Sequence, residues 1–104
     1  MTATHKLFAV ATVAIFCLGL IVMFGDRPDG AEIFKREGCI KCHSFKGVGG
    51  SAGPELTAVK ERRTDAWIRQ QIRDSRSHNP ATIMPSFSHL SYRDISALIA
   101  YLKS

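Results

Sequence analysis

The sequence predicts a small all-α domain of three or four helices, preceded by a single transmembrane helix. Leu7 to Phe24 is a run of eighteen residues without a charge. At about 1.5 Å per residue, this run spans about 27 Å as a helix, close to the hydrocarbon thickness of a bilayer. The rest of the 104-residue chain repeats apolar residues at helical spacing and contains no convincing strand. We therefore expect one soluble domain and one membrane segment.

The apolar run is expected to stay on the protein as a signal anchor. A cleavable signal has an apolar core of about 7–15 residues followed by small residues, but this run is longer and no such cleavage pattern follows it. Lys6 precedes the run, whereas the charges of Asp26, Arg27 and Asp29 nearly cancel behind it. The positive-inside rule then places the N-terminus in the cytoplasm and the domain outside. The predicted organisation is residues 1–25 as the anchor, 26–29 as a linker and 30–104 as the domain.

Capping residues and apolar spacing define the first and last helices of the domain. Asp29 is expected to cap a helix over Gly30–Glu37. Ser91 and Asp94 form a capping-box-like start for the last helix. The residues that follow show the i, i+3, i+4, i+7 spacing of a buried stripe: Ile95, Leu98, Ile99 and Leu102.

The middle of the domain is predicted to be mostly loop, with one further helix. Glycines and a proline punctuate residues 44–54, which are expected to form a loop. Leu56–Lys60 is expected to form a turn of helix, and Thr64 is expected to cap a helix from Asp65 to about Ser75. Residues 76–88 contain two prolines and are predicted to be irregular.

The chemistry of the chain centres on Cys39–His43, which reads Cys-Ile-Lys-Cys-His and matches the C-x-x-C-H signature of haem attachment. The two sulfurs can add to the two vinyl groups on one edge of a haem, and His43 can offer a neutral imidazole nitrogen to the iron. The alternatives are half of a zinc site and a thioredoxin-like redox pair. The remaining cysteine, Cys17, lies in the apolar run, and no βαβ context is present, so covalent haem is favoured.

The size of the domain suits a haem, and the distribution of its charges excludes a nucleic-acid-binding domain. About 75 residues are few for a self-sufficient core, and a haem would fill its centre. Lys6 is the only Lys or Arg before Asp26, so the remaining chain carries 13 Lys and Arg against 9 Asp and Glu. These charges are scattered along the sequence, unlike the clustered basic footprint of a nucleic-acid-binding domain.

Beyond the motif, four blocks of the chain resemble those of membrane-anchored class I c-type cytochromes, which are single-haem electron carriers. The blocks are Gly30–Phe34, Gly53–Leu56, Ile83–Phe87 and Ile95–Leu102. The resemblance covers nearly all of the soluble part. It implies the cytochrome c fold around one covalent haem c, attached through Cys39 and Cys42. It also implies that the Pro54 carbonyl accepts a hydrogen bond from His43, the axial ligand.

The remaining site residues follow from the same resemblance. Met84 is the expected sixth ligand of the iron, so that the metal is bound by His43 and Met84. His78 and His89 stay open as alternatives for this position, as does an open site. In the family, a tryptophan at the position of Trp67 packs near the haem, where its N–H can reach a propionate.

The function implied by the resemblance is one-electron transfer rather than independent catalysis, because both axial positions of the iron are filled. The expected partners are a respiratory or photosynthetic membrane redox complex or another electron-transfer protein, and no small-molecule substrate or nucleic acid is expected. The expected location is the bacterial cytoplasmic membrane, through residues 7–24, with the haem domain on the periplasmic side. The competing hypothesis is a haem enzyme or gas-binding sensor with a labile sixth ligand.

Overall fold

The computed structural model describes residues 27–104, so the predicted anchor over residues 1–25 and the start of the linker lie outside the described residues. Within the described part, none of the helices combines the length and the apolar character that crossing a membrane requires. The elements in chain order are helix α1 (Gly30–Arg36), helix α2 (Cys39–Cys42), strand β1 (Ser44–Phe45), strand β2 (Val48–Gly49), helix α3 (Val59–Arg62), helix α4 (Asp65–Arg73), a 3-10 helix (Ser75–Ser77) and helix α5 (Tyr92–Leu102).

The first and last helices begin at the caps that the sequence predicts. The Asp29 carboxylate accepts a hydrogen bond from the Ala31 N–H at 3.0 Å. The Ser91 hydroxyl accepts from the Asp94 N–H at 3.0 Å, and the Asp94 carboxylate accepts from the Ser91 N–H at 3.3 Å. These bonds satisfy N–H groups that the first turn of a helix leaves unpaired. The four residues of the predicted stripe on α5 are all buried.

Helices α1 and α5 pack against each other and form the centre of the core. Gly30 is buried at this contact, and a Cβ atom on it would lie 2.7 Å from the Tyr101 Cβ and closer still to the Ala97 carbonyl oxygen. The rings of Phe34 and Tyr101 lie 5.7 Å apart between centroids and are tilted by 55°. The absence of a side chain at Gly30 is therefore what lets the two helices approach.

The core continues from this contact to α4 and the connecting segments. Ile68 and Ile72 of α4 are buried in the same cluster as the apolar residues of α1 and α5. Val59 of α3 and three residues outside the helices complete the cluster: Phe45, Phe87 and Leu90. Cys39, Trp67 and Met84 are partly buried and pack against this cluster. Three of the predicted site residues therefore border one apolar core.

A short β-hairpin corrects the prediction of an all-α domain without strands. Strand β1 pairs antiparallel with β2, so that Phe45 lies opposite Val48. Between the strands, Lys46 and Gly47 have φ angles of 51° and 84°. Positive φ at both central positions is the geometry of a tight two-residue hairpin turn. Strands of two residues are too short to produce an alternating apolar pattern, so the predicted loop over residues 44–54 missed them, although its remaining residues lie outside helices and strands.

Two helices of four residues raise the number of helices to five within residues 27–104, against the three or four predicted. Helix α2 lies over the cysteine motif, where no helix was predicted. Helix α3 replaces the turn predicted at Leu56–Lys60 and begins later, at Val59. A single turn of helix shows no measurable periodicity, which is why both were missed or misplaced.

Helix α4 begins where the sequence predicts and ends slightly earlier. The Thr64 hydroxyl accepts a hydrogen bond from the Trp67 N–H at 3.1 Å, which confirms the predicted cap. The helix ends at Arg73 rather than near Ser75, and a 3-10 helix over Ser75–Ser77 follows it.

We predict that Gly30→Ala destabilises the domain by about 1–3 kcal/mol, the usual cost of overpacking a close contact. The added methyl group would collide with the backbone of α5, and the gain in helix propensity would offset only part of this cost. Guanidinium unfolding of the haem-loaded protein measures the change.

The matched control for this test is Lys35→Ala, at an exposed position of the same helix, which should change the free energy of unfolding by no more than about 0.5 kcal/mol. Equal stability of the Gly30→Ala and Lys35→Ala proteins would contradict the proposed close approach of the two helices.

Candidate functional site

Helix α2 presents both thiols of the motif on a single helical turn. Gly38 precedes the helix with a φ of 79°, a left-handed conformation that glycine adopts at little cost. The His43 N–H donates to the Cys39 carbonyl at 2.9 Å and closes the turn. Both thiols are free, and Cys39 is half-buried while Cys42 is exposed. Residues three apart lie on the same face of a helix, so the two sulfurs are offered to one side of the motif.

The environment of Cys39 disfavours a redox-active thiol pair. Burial raises the pKa of the Cys39 thiol above its ordinary value, a backbone hydrogen bond lowers it by less, and negative charge on Glu37 and on Cys42 raises it slightly further. Reactive cysteines in C-x-x-C motifs usually have a lowered thiol pKa. The raised pKa of the Cys39 thiol is the opposite of what a thioredoxin-type nucleophile needs.

The imidazole of His43 is oriented by the carbonyl of Pro54. The His43 Nδ1 lies 2.7 Å from the Pro54 carbonyl oxygen. A carbonyl oxygen can only accept, so Nδ1 carries the proton and donates it. The neutral ring then keeps its lone pair on Nε2, which has no hydrogen-bond partner within residues 27–104. This is the tautomer in which an imidazole binds a metal through Nε2.

Glycines allow the loop before Pro54 to lie directly against the motif. The Gly50 N–H donates to the Ile40 carbonyl at 2.9 Å, and the Gly53 N–H donates to the Cys42 carbonyl at 2.7 Å. A Cβ atom on Gly53 would lie 2.6 Å from Cε1 and 2.8 Å from Nδ1 of His43. Real Cβ atoms do not approach a ring so closely, so only glycine leaves room for this imidazole.

The loop that carries Met84 is tied to the end of α4 by Ser75, which is fully buried. The Ser75 hydroxyl donates to the Met84 carbonyl at 2.7 Å, and the Ser75 N–H donates to the Ser86 hydroxyl at 3.1 Å. The Phe87 N–H adds a bond to the Ile72 carbonyl at 2.8 Å. Sequence reasoning missed Ser75, because its partners lie in a distant loop and no local pattern marks it.

Gln71 of α4 lies at the centre of the contacts around the Met84 side chain. Its amide N–H donates to the Met84 sulfur at 3.3 Å, and its carbonyl oxygen lies 2.7 Å from Nδ1 of His78. The His78 ring stacks on Trp67, with centroids 4.3 Å apart and planes within 5°. The Arg63 guanidinium lies 4.0 Å from the centroid of the Trp67 ring. Gln71 was also missed, although its place four residues after Trp67 puts both on one face of α4.

The choice of sixth ligand stays a prediction. His89 is exposed, and its Nε2 lies 3.1 Å from the Glu37 carboxylate. His78 is exposed as well and uses Nδ1 on Gln71. Each of these histidines has one ring nitrogen without a hydrogen-bond partner within residues 27–104, as an iron ligand would need. No hydrogen bond within residues 27–104 joins His43 to Met84, so separate parts of the fold hold the two sides of the candidate site.

This helical domain has two free thiols three residues apart, and the imidazole that follows the second thiol has an unpaired Nε2 within residues 27–104. These are the features of c-type haem proteins. Residues 28–104 match the Cytochrome c family, and the chain belongs to it. A curated relative, cytochrome c oxidase subunit 2 of Alkalihalophilus pseudofirmus, is 36% identical over 83 residues. The match covers 72% of this chain and 24% of that relative, so the chain spans about a quarter of the relative's length.

The residues present fit the covalent haem c that this family implies. Cys39 and Cys42 are free thiols at the spacing that attachment requires. His43 offers Nε2, and Gly53 keeps the space around its ring clear. The indole N–H of Trp67 has no hydrogen-bond partner in the described part of the chain, so it is available to a propionate.

We predict that Gly53→Ala loosens the hydrogen bond between His43 and Pro54, because the new methyl group would occupy the place of the imidazole. Exchange of the Nδ1 proton of His43 with solvent should become about 2–10-fold faster, the factor that corresponds to a net hydrogen bond of about 0.5–1.5 kcal/mol. Proton NMR of the reduced, haem-loaded protein measures this rate.

Ser51→Ala is the control for this substitution, since Ser51 is exposed in the same loop and should leave the exchange rate unchanged. If the Gly53→Ala protein also exchanged at the wild-type rate, the imidazole would not depend on the glycine for its position.

Proposed function

We propose that this chain is a one-electron carrier with one haem c attached through Cys39 and Cys42 and with His43 and Met84 as axial ligands. The observation that carries the proposal is the hydrogen bond from His43 Nδ1 to the Pro54 carbonyl, because it leaves Nε2 as the electron-pair donor of the ring. The haem, when bound, supplies reversible one-electron chemistry.

The two proposed ligands adjust that chemistry in different ways. Donation of the His43 Nδ1 proton to a carbonyl makes the imidazole a stronger ligand. The thioether of Met84 favours the reduced state and raises the potential relative to a second imidazole. Side chains in both axial positions leave no position for a substrate, so the proposed role is electron transfer rather than catalysis.

We also propose that the domain is tethered to the bacterial cytoplasmic membrane on its periplasmic side. The support is the uncharged run over residues 7–24 and the positive charge of Lys6 before it. Haem attachment to C-x-x-C-H motifs in bacteria takes place on that side. The five residues from Gly25 to Asp29 reach at most about 18 Å, so the tethered domain would stay close to the bilayer.

The partner that we propose is a membrane redox complex. The support is the relative named cytochrome c oxidase subunit 2, a quarter of which is similar to this chain. A tethered domain of this kind suits delivery of electrons to such a complex, either as one of its subunits or beside it.

We predict that Met84→Ala lowers the reduction potential and opens the iron to carbon monoxide, because the sixth position loses its side-chain ligand. The wild-type protein should bind carbon monoxide poorly and show the far-red absorption band of methionine-ligated ferric iron, and the variant should lose this band. Absorption spectra of both oxidation states measure the change.

His78→Ala and His89→Ala are the matched controls, since each removes an alternative ligand. Both variants should keep the low-spin spectrum and the methionine band. A histidine substitution that abolishes low-spin character while Met84→Ala does not would show that the sixth ligand is that histidine. Ready binding of carbon monoxide by the wild type would favour a gas sensor or haem enzyme instead.

For the tether, we predict that the mature chain is found in membrane fractions and still contains Phe24. When the chain is purified in mild detergent, a redox complex that reduces or oxidises the haem domain should co-purify with it. The control is a variant with residues 1–24 replaced by a cleavable signal, which should be soluble and lose the complex. A soluble wild-type protein that begins near Gly25 would overturn the tether.

A further inference from the structure

Helix α4 has two sides beyond the one that it buries in the core, and only one of them faces the candidate haem site. Gln71 contacts the Met84 sulfur at 3.3 Å, and Trp67 lies one turn before it on the same side. Arg69 and Arg73 each follow one of these residues by two positions, which turn an α-helix by about 200°. The two arginines therefore leave the helix on the side opposite to Met84.

Arg69 is held in a fixed position between α4 and α5. Its guanidinium donates to the Ser96 hydroxyl at 2.7 Å and to the Tyr92 carbonyl at 3.2 Å. The same group lies 3.8 Å from the centroid of the Tyr92 ring. Its other N–H groups have no acceptor within residues 27–104. A guanidinium that is already ordered and still has donors can bind a phosphate oxygen with little further loss of conformational entropy.

Two surface clefts adjoin this contact. Arg69 lines the first and Tyr92 lines the second, so the contact between them joins the two clefts into one surface, here called the α4–α5 strip. Its charged and aromatic residues are Asp65, Arg69, Arg73, Tyr92 and Lys103. Three positive charges thus accompany one negative charge, and the carboxylate of Asp65 is already paired with Lys103 at 3.1 Å. The strip is therefore complementary to an anionic surface.

The strip combines these charges with an exposed aromatic ring. Tyr92 is 71% exposed, and its hydroxyl has no hydrogen-bond partner within residues 27–104. Arg73 is exposed as well, and its side chain has no ion-pair or hydrogen-bond partner in the same part of the chain. A tyrosine beside arginines is typical of surfaces at the headgroup level of a bilayer, where the ring meets apolar atoms and the hydroxyl stays hydrated.

The chain enters the domain beside this strip. Gly30, the first residue of α1, packs against Ala97 and Tyr101 of α5. The preceding neighbours of these two residues, Ser96 and Ala100, line one cleft of the strip. An α-helix with its side chains is about 10–12 Å wide, so the strip lies within about one helix width of Gly30. The proposed tether extends at most about 18 Å from the anchor to this point, which keeps the strip within reach of the bilayer surface.

We propose that the α4–α5 strip docks the haem domain on the bilayer that its own anchor crosses, with Arg69 and Arg73 bound to the phosphate groups of anionic lipids. This inference rests on the proposed tether. The tether holds the domain at a high local concentration of headgroups, so a few weak contacts are sufficient. With the strip on the membrane, the side of α4 beside Met84 faces away from the lipid. Docking therefore presents the candidate haem site to a redox partner in one orientation.

The test measures the orientation of the haem in the full-length, haem-loaded chain, reconstituted into oriented bilayers. The electron paramagnetic resonance spectrum of a ferric haem depends on its angle to the magnetic field, so a docked domain gives spectra that change as the sample is rotated. We expect this change in bilayers of equimolar phosphatidylcholine and phosphatidylglycerol, and no change in phosphatidylcholine alone. Arg73→Gln should lower the ratio of docked to undocked domains about 5-fold, the factor for one arginine at an anionic surface.

Arg73 is the position to substitute because no side-chain contact within residues 27–104 depends on it, whereas Arg69 also joins α4 to α5. The matched control is Arg36→Gln, which removes the same charge from the exposed end of α1 that leads into the cysteine motif. This variant should dock as the wild type does. Both variants should keep the wild-type absorption spectrum, since neither position is part of the candidate haem site.

The outcomes separate this inference from the proposed tether. A chain that stays with the bilayers but gives the same spectrum at every sample angle would overturn the docking and leave the tether standing. Equal orientation in neutral and anionic bilayers, or equal docking of the Arg73→Gln and Arg36→Gln proteins, would also overturn the docking. A chain that stays with neither bilayer would overturn the tether and the inference together.

Discussion

The hydrogen bond from His43 to the Pro54 carbonyl is the contact on which the rest of the site depends. It fixes which ring nitrogen carries the proton and therefore which one can bind a metal. The bond requires the loop to fold back on the cysteine motif, which the Gly53 N–H secures by donating to the Cys42 carbonyl at 2.7 Å. It also requires that Gly53 have no side chain, because a Cβ would enter the space of the imidazole. This bond thus accounts for the glycine at position 53.

The methionine side of the site depends on a different part of the fold. Helix α4 ends just before Ser75, whose buried hydroxyl donates to the Met84 carbonyl. Helix α4 is in turn packed against α5 through Ile68 and Ile72. The histidine side is built from contacts between α2 and the loop that ends at Pro54, whereas the methionine side is built from contacts between the end of α4 and the loop around Met84. What the two sides share is the apolar core formed where α1 meets α5.

Local signals made much of this structure predictable from the sequence. Asp29, Thr64 and Ser91 cap helices where the sequence places them, because an N-cap depends only on the residues of the first turn. The motif at Cys39–His43 was equally local. Features set by tertiary contact were not predictable in this way: the hairpin around Lys46 and Gly47 has strands of two residues, and the role of Ser75 depends on a loop nine residues away. The membrane segment and the ligand assignments stay predictions.

The central claim, that Cys39 and Cys42 hold a haem covalently, is tested most directly by the mass of the denatured protein after acid–organic extraction. We expect the wild-type chain to keep the additional mass of one haem through this treatment, since two thioether bonds survive conditions that release a coordinated haem. The Cys39→Ala/Cys42→Ala protein, where any accumulates, should have the mass of the chain alone. A wild-type chain at the mass of its sequence, with the haem recovered in the organic phase, would contradict the account.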